Sequence, residues 1–251
     1  MAFTTFDALV LREVRYKEAD RILTLFTADR GILTAKARGA LRKGSCLAAA
    51  TQQLTFAEMT VFENKGRLTV QEAVIREPFA GLRKNFEAFS LGCYFAECME
   101  ALLPEGETDA LSFQLILNAL YALSHGLFDA RHIKAAFELR LMCLLGYAPD
   151  LSACIFCGKE APEQPLLGLQ TGHICCRACR RADVGITDEL CDSSLKAMRY
   201  IVSAPAKQLF SFHLEKDPLN RLAECCEHYL TEQSGRRFAT LDYWKRLQNQ
   251  W

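Results

Sequence analysis

No stretch of this 251-residue chain approaches the ~20 consecutive apolar residues needed to cross a bilayer, so a membrane-spanning role is not expected. The start, Met1-Ala2-Phe3-Thr4-Thr5-Phe6-Asp7, has neither the basic segment nor the apolar segment of a secretory signal. A phosphate-cradling G-x-x-x-x-G-K-[ST] loop, a G-x-G-x-x-G turn and an H-E-x-x-H helix are all missing. So is the G-x-S-x-G elbow of hydrolases. The five histidines, His125, His132, His173, His213 and His228, are scattered without a partner at ligand spacing. The acidic pair Asp188/Glu189 falls where a helix is expected to start, and the helix macrodipole accounts for it. These absences lead to the expectation of a soluble, cytoplasmic protein that is not an enzyme. Net charge is also missing, since Lys plus Arg and Asp plus Glu number 30 each, so the total points to no partner.

The distribution of charge says more than its sum. Residues 1–78 carry 12 basic and 9 acidic side chains, whereas residues 79–150 carry 5 basic and 9 acidic. A polyanion is therefore expected at the front of the chain, if anywhere. Cysteine is abundant, at 12 residues. In a reducing compartment closely spaced pairs favour metal binding over a disulfide framework.

Residues 1–78 read as strands. Phe6–Val14 is β-rich, Arg21–Thr27 follows and closes at Asp29-Arg30-Gly31, and Ile32–Arg38 resumes as a hairpin partner. A basic connection, Gly39–Ser45, comes next. Leu54–Glu63 and Arg67–Ile75 then flank the turn Asn64-Lys65-Gly66. Five short strands in so little chain predict a small closed barrel, because closure removes vulnerable edges. The strand count is that of an OB-type barrel. From about Asn85 the rhythm turns helical. Phe86, Phe89, Cys93, Ala96 and Met99 share a face until Pro104, and Leu111–Leu123 follows an Asp109 start. Asp129 is a cap for a third helix bearing Ile133, Phe137, Leu141 and Leu144, which Gly146 and Pro149 end. Residues 151–185 are turn-rich. Helices are expected again over Asp188–Ser203 behind Thr187, over Leu219–Leu230 behind Asp217-Pro218, and over Thr240–Leu247. The fold class is thus α+β and multidomain: an OB-type barrel (1–78), a helical domain (79–150), a cysteine module (151–185) and C-terminal helices packing with the helical domain (186–251).

Cys154-Ile155-Phe156-Cys157-Gly158 and Cys176-Arg177-Ala178-Cys179 are two C-x-x-C knuckles separated by 18 residues, the four-cysteine zinc spacing. A tight turn brings both sulfurs of each pair to one point, and two such turns complete a tetrahedron at ~2.3 Å per Zn–S bond. The segment between them offers little apolar material beyond Leu166, Leu167 and Leu169. Metal-binding energy of about 10–16 kcal/mol is therefore expected to help hold it. Cys175 with Cys179 is an alternative pair, and Cys176 is preferred because it restores the C-x-x-C spacing. Four thiolates leave no open coordination position, so the predicted Zn²⁺ is structural. Cys46, Cys93, Cys98, Cys143, Cys191, Cys225 and Cys226 are read as small hydrophobes.

If the barrel is OB-type, its binding surface involves the second and third strands and neighbouring loops. Arg12, Arg15, Lys17 and Arg21 surround the first inter-strand loop, and Lys36, Arg38, Arg42 and Lys43 cluster at the end of the third strand and on the connection after it. Cations along a groove would track a nucleic-acid backbone with little sequence preference. Tyr16, in a loop, is a candidate stacking platform, whereas Phe26 is assigned to the core.

Tyr16-Lys17-Glu18-Ala19-Asp20-Arg21-Ile22-Leu23-Thr24-Leu25-Phe26-Thr27, then Gly31 and Ala37-Arg38-Gly39-Ala40, resembles the start of the bacterial recombination mediators of the RecO family. So do Phe137-Glu138-Leu139-Arg140-Leu141, Leu144-Leu145-Gly146-Tyr147-Ala148-Pro149 and the Cys154-x-x-Cys157-Gly158 that follows. The order barrel, helices, knuckles, helices extends the resemblance over nearly the whole chain. It implies an OB-fold domain, a helical domain with an embedded zinc module, and a non-enzymatic role in DNA repair. That role is binding single- and double-stranded DNA, annealing strands and helping load RecA recombinase on gaps. The implied partners are RecR and the single-stranded-DNA-binding protein, whose acidic, apolar C-terminal tail docks on the helical domain; the implied location is cytoplasmic, with the nucleoid. By position, Arg38 and Lys43 fall in the family's basic stretch, Leu41 and Gly44 stand where many relatives place further cations, and Lys134 is a candidate receiver of the acidic tail. Some relatives lack the cysteines, which fits a structural metal. The rival readings are a nuclease acting on bound single strands and a scaffold that binds only protein.

Overall fold

The computed structural model describes residues 2–104 and 106–248. They fall into two compact units, one within Met1–His125 and Phe238–Trp251 and the other Gly126–Arg237. The sequence divides by element type, at 78, 150 and 185, whereas the compact units divide by what packs on what.

In the first unit five strands, β1 (Ala2–Tyr16), β2 (Asp20–Thr27), β3 (Gly31–Ala37), β4 (Phe56–Asn64) and β5 (Arg67–Glu77), close into a barrel in the order β1-β2-β3-β5-β4. β1 is long enough to serve two neighbours. Ala2–Leu9 pairs with β4 and Leu9–Tyr16 pairs with β2, with a register shift between Val10 and Arg12 where the strand bends. Closure comes from a short parallel contact of Ala35–Ala37 on β3 with Leu68–Val70 on β5. The interior alternates with the pleat, through Ala8, Val10, Leu23, Leu25, Ala35, Ala37, Ala57, Met59, Val61 and Val70. Small residues dominate it, because a five-stranded barrel has little room inside. Gly31 opens β3 at φ +63, and a Cβ there would lie 2.2 Å from the Glu107 carbonyl oxygen, so only glycine fits. Two points differ from the sequence reading. A one-turn helix, α1 (Leu47–Ala50), lies in the basic connection's wake and seats Leu47 and Ala50 in the barrel core. β4 starts at Phe56 instead of Leu54, because Leu54 adopts φ +57 and leaves the extended region.

The same unit holds α2 (Phe86–Leu102), α3 (Ala110–Ser124) and α7 (Ala239–Gln248). Asn85 caps α2 by accepting from the Ala88 N–H at 3.1 Å, and Asp109 caps α3 from the Ser112 N–H at 2.8 Å. Phe26 is buried and meets Phe113 edge-on at 5.2 Å, which confirms its core assignment.

The second unit comprises α4 (Ala130–Leu144), α5 (Asp192–Ser203), α6 (Lys216–Ser234) and a three-stranded sheet, β7 (Ile174–Cys176), β6 (Pro165–Gly168) and β8 (Thr187–Glu189), in that order across the sheet. Asp129 caps α4 as expected, accepting from the Arg131 N–H at 2.8 Å. Thr187 does not cap a helix, and Asp188/Glu189 do not sit at a helix start. They form β8 opposite Leu166 and Leu167, and α5 begins only at Asp192. α6 starts at Lys216, earlier than Asp217-Pro218 implies; Pro218 still lies in the first turn, where a missing N–H costs nothing. No helix among the described residues is long and apolar enough to cross a membrane.

Candidate metal centre and nucleic-acid interface

The cysteine site is built by the small sheet of the second unit. Cys176 ends β7, and a single 3₁₀ turn, Arg177–Cys179, swings Cys179 back beside it. The first knuckle is tied to the same strand by the Ile155 N–H donating to the Ile174 carbonyl at 3.0 Å. Its own turn closes through the Gly158 N–H on the Cys154 carbonyl at 2.9 Å, with Gly158 at φ +73, the freedom expected of it. The sulfurs of Cys154, Cys157, Cys176 and Cys179 all lie within 4.8 Å of one another. A tetrahedron with bonds of ~2.3 Å has edges of about 3.8 Å. Cys157 and Cys176 stand 3.8 Å apart, so the donor set fits a metal ion.

The electrostatics agree with that geometry. Burial pushes the Cys154 thiol up, but N–H groups of Cys176, Cys157 and Phe156 aimed at it bring it down to about 6. The Cys176 N–H reaches this sulfur at 3.4 Å. Cys176 is raised, first by burial, and Cys179 is raised, first through its hydrogen bond with Cys157. Four thiolates this close would repel one another, so all four would ionise together only with a cation between them. Soft thiolates select zinc, copper(I) or iron–sulfur chemistry, and a full shell of four is a holding arrangement with no place for a reacting water. Cys175 neighbours Cys176 on a strand whose successive side chains point to opposite faces; it is buried and paired in register with Leu166, outside the cluster. His173 is half-buried and likewise outside it.

The eight cations singled out in the barrel divide into two groups. Arg12 is held by Glu100 at 2.6 and 3.1 Å. Arg21 is largely buried, paired with Glu13 at 2.7 Å, and donates to the Ala48 carbonyl and the Thr51 hydroxyl at 2.9 and 2.8 Å. Lys36 pairs with Asp20 at 2.8 Å and lies 4.9 Å from the centre of the Tyr16 ring. The Lys36 hydrogen bond, then the Gly39 N–H, hold the Asp20 carboxyl below its usual range. Arg15, Lys17, Arg38, Arg42 and Lys43 are exposed and make no ion pair among the described residues.

Of these, Lys36 and Arg38 line a cleft of about 830 Å³ on the barrel together with Tyr16, Phe62 and Arg67. Tyr16 is the last residue of β1 and not a loop residue, yet it is exposed as a stacking platform must be. Arg42 and Lys43 sit on the connection after β3, outside this cleft. Arg67 and Phe62 are additions that the sequence reading misses. The position of Arg67 at the β4–β5 turn is signal enough, since OB folds bind with that loop. A half-buried phenylalanine in a strand has no such mark.

Lys134 is not at the surface. It is 2% exposed, paired with Glu138 at 3.0 Å and Glu227 at 2.9 Å, and donates towards the Ala223 carbonyl at 3.4 Å. A side chain so enclosed has no free face for an incoming carboxylate, and the tail-receiving role is not carried further. Nothing in the sequence around it separates this buried cation from a solvated one.

Residues 1–79 match the family model described as Recombination protein O N terminal, and residues 83–242 match that described as Recombination protein O C terminal. A protein of Acetivibrio thermocellus named DNA repair protein RecO is 31% identical over 247 residues, 98% of each chain. One of the same name from Symbiobacterium thermophilum is 27% identical over 256 residues, 99% of each. A third, from Heliobacterium modesticaldum, is 35% identical over 212 residues, 81% of this chain and 75% of its own.

Proposed function

The chain belongs to the RecO family of DNA repair proteins, and from that premise we propose that it is a recombination mediator acting on DNA without turnover chemistry. It binds single- and double-stranded DNA through the barrel, anneals strands, and helps load RecA recombinase on gapped DNA together with RecR and the single-stranded-DNA-binding protein, in the cytoplasm at the nucleoid. The observation that carries this reading is the cleft lined by Arg38 and Arg67, which have no carboxylate partner among the described residues, together with Tyr16 and Phe62. Cations with an aromatic floor are what a flexible phosphate backbone with unpaired bases requires. The cations free of ion pairs extend the positive surface to Arg15, Lys17, Arg42 and Lys43, and none needs to break an ion pair to meet a phosphate. Zn²⁺ on Cys154, Cys157, Cys176 and Cys179 is assigned a structural part, cross-linking the first knuckle to β7.

The test is fluorescence anisotropy of labelled single-stranded DNA over a series of salt concentrations. Replacing Arg38 and Lys43 by Ala is expected to weaken binding and to make log Kd less steep in log salt by about 0.7 for each phosphate no longer neutralised. Unchanged affinity and slope would remove these residues from the interface. Cleavage of the DNA by pure protein with a divalent metal would replace the mediator reading with that of a nuclease.

A further inference from the structure

At the edge of the cleft the barrel carries two adjacent aromatic rings, Phe3 exposed and Phe62 half-buried. Phe3 on β1 and Phe62 on β4 are direct cross-strand partners. Their ring centres are 5.1 Å apart with planes tilted by 48°. Phe3 is 69% exposed, the largest exposure of any big apolar side chain described. Phe62 is shared with the cleft wall, beside Asn64 and Arg67 at the β4–β5 turn. The same outward face continues from the aromatic pair to Thr5 hydrogen-bonded to Thr60, and then to Asp7 and Glu58 bridged by Arg76. It therefore grades from aromatic to hydroxyl to acidic along about 13 Å of strand.

We propose that Phe3 and Phe62 form a ledge on which unpaired bases of a single strand stack as that strand leaves the cationic cleft. The proposal rests on the DNA-binding reading above and names what that reading leaves open, the residues that distinguish a single strand from a duplex. The cleft supplies the phosphate contacts through Arg38 and Arg67, and phosphates are present on both forms of DNA. An aromatic surface next to those cations distinguishes the two forms. Bases stacked inside a duplex have no free face to offer, whereas every unpaired base has one. The tilted pair cannot close face to face on itself, so each ring keeps an open side. Asp7 and Glu58, bridged by Arg76, leave no free cation for a phosphate at the far end, which limits the ledge to a few nucleotides.

Phe3→Ala and Phe62→Ala, singly and together, are to be compared with the unaltered protein on a fluorescently labelled single-stranded oligonucleotide and on the matching duplex. Single-strand affinity should fall about tenfold for each ring removed, with duplex affinity unchanged and the salt slope of single-strand binding kept. A 2-aminopurine base in the oligonucleotide should be quenched by the unaltered protein and less so by the double variant. Thermal melting of the variants separates loss of stacking from loss of fold, and Phe3→Ala carries the test if Phe62→Ala is unstable, since Phe3 packs on little besides its partner ring. Equal losses on duplex and single strand would overturn the ledge, as would unchanged single-strand binding in a protein that binds DNA. Loss of self-association in sedimentation, with DNA binding intact, would reassign the pair to contact between copies. If the unaltered protein binds neither form, the DNA-binding reading itself fails and the ledge with it.

Discussion

Lys134 shows how a residue's surroundings decide its role. Its ammonium sits among Glu138, Glu227 and a backbone carbonyl inside the packing of α4 on α6. Burial by itself lowers the lysine, but the two carboxylates outweigh it and hold the pKa above the ordinary 10.5. The stabilisation is then fully present below the unfolded-state value and is lost only as pH rises through the folded-state one, so at neutral pH the pair is at full strength. Removing the cation strands two carboxylates in a low-dielectric interior. Lys134→Met is therefore expected to cost about 3–5 kcal/mol in urea unfolding. The double replacement of Lys134 and Glu138 by Met and Leu should recover part of that, because the loss comes from the unpaired charge more than from the missing bond. Were Lys134 a surface receiver of an acidic peptide, the single substitution would leave unfolding nearly unchanged.

At the scale of elements, the cysteine knuckles are legible because metal geometry imposes spacing on sequence. Two C-x-x-C turns mark the four candidate ligands, and strand alternation at Cys175-Cys176 puts Cys176 and not Cys175 in the cluster. Cys176→Ser is expected to lose bound zinc, measured by elemental analysis against protein concentration, and Cys175→Ser to retain it; the opposite result would exchange the two. Loss of the ion should also release amide protection in β6, β7 and β8 in hydrogen exchange, since the strands run only three or four residues each and the buried apolar cluster around them is small. The barrel strands are equally legible, from pleat alternation and the turns at Gly31 and Asn64-Lys65-Gly66. What escapes is of one kind. β8 carries polar residues, Thr187-Asp188-Glu189, and is a strand only because β6 offers it an edge. α1 is one leucine and three alanines, and its reason is the barrel core that Leu47 and Ala50 join. Lys134, Phe62 and the ion pairs of Arg12 and Arg21 depend on partners that are distant in the chain or on neighbouring strands, and a single sequence does not reveal them.

For the whole molecule the charges cancel, 30 against 30, so attraction to a polyanion cannot come from net charge and must come from where the positive groups stand free. That makes the internal ion pairs a sharp control. Arg12 and Arg21 belong to the same basic front as Arg38 and Lys43 in the sequence, but each has a carboxylate of its own within 2.7 Å. A paired cation releases no counterion on meeting a phosphate unless it first abandons its partner, so it adds little to the salt slope. Arg12→Met and Arg21→Met should therefore leave the dependence of log Kd on log salt within experimental scatter of the unaltered protein, while Arg15→Met, Arg42→Met and Arg67→Met each flatten it. The two paired positions should then differ from one another in stability. Exposed Arg12 is worth less than about 1 kcal/mol, whereas Arg21 is enclosed and hydrogen-bonded to Ala48 and Thr51 as well as paired with Glu13. Its loss should lower the barrel's melting temperature by several degrees. If Arg12→Met or Arg21→Met flattened the slope as far as the free cations do, the division between paired and free charge would be wrong, and the basic front would act as a single field.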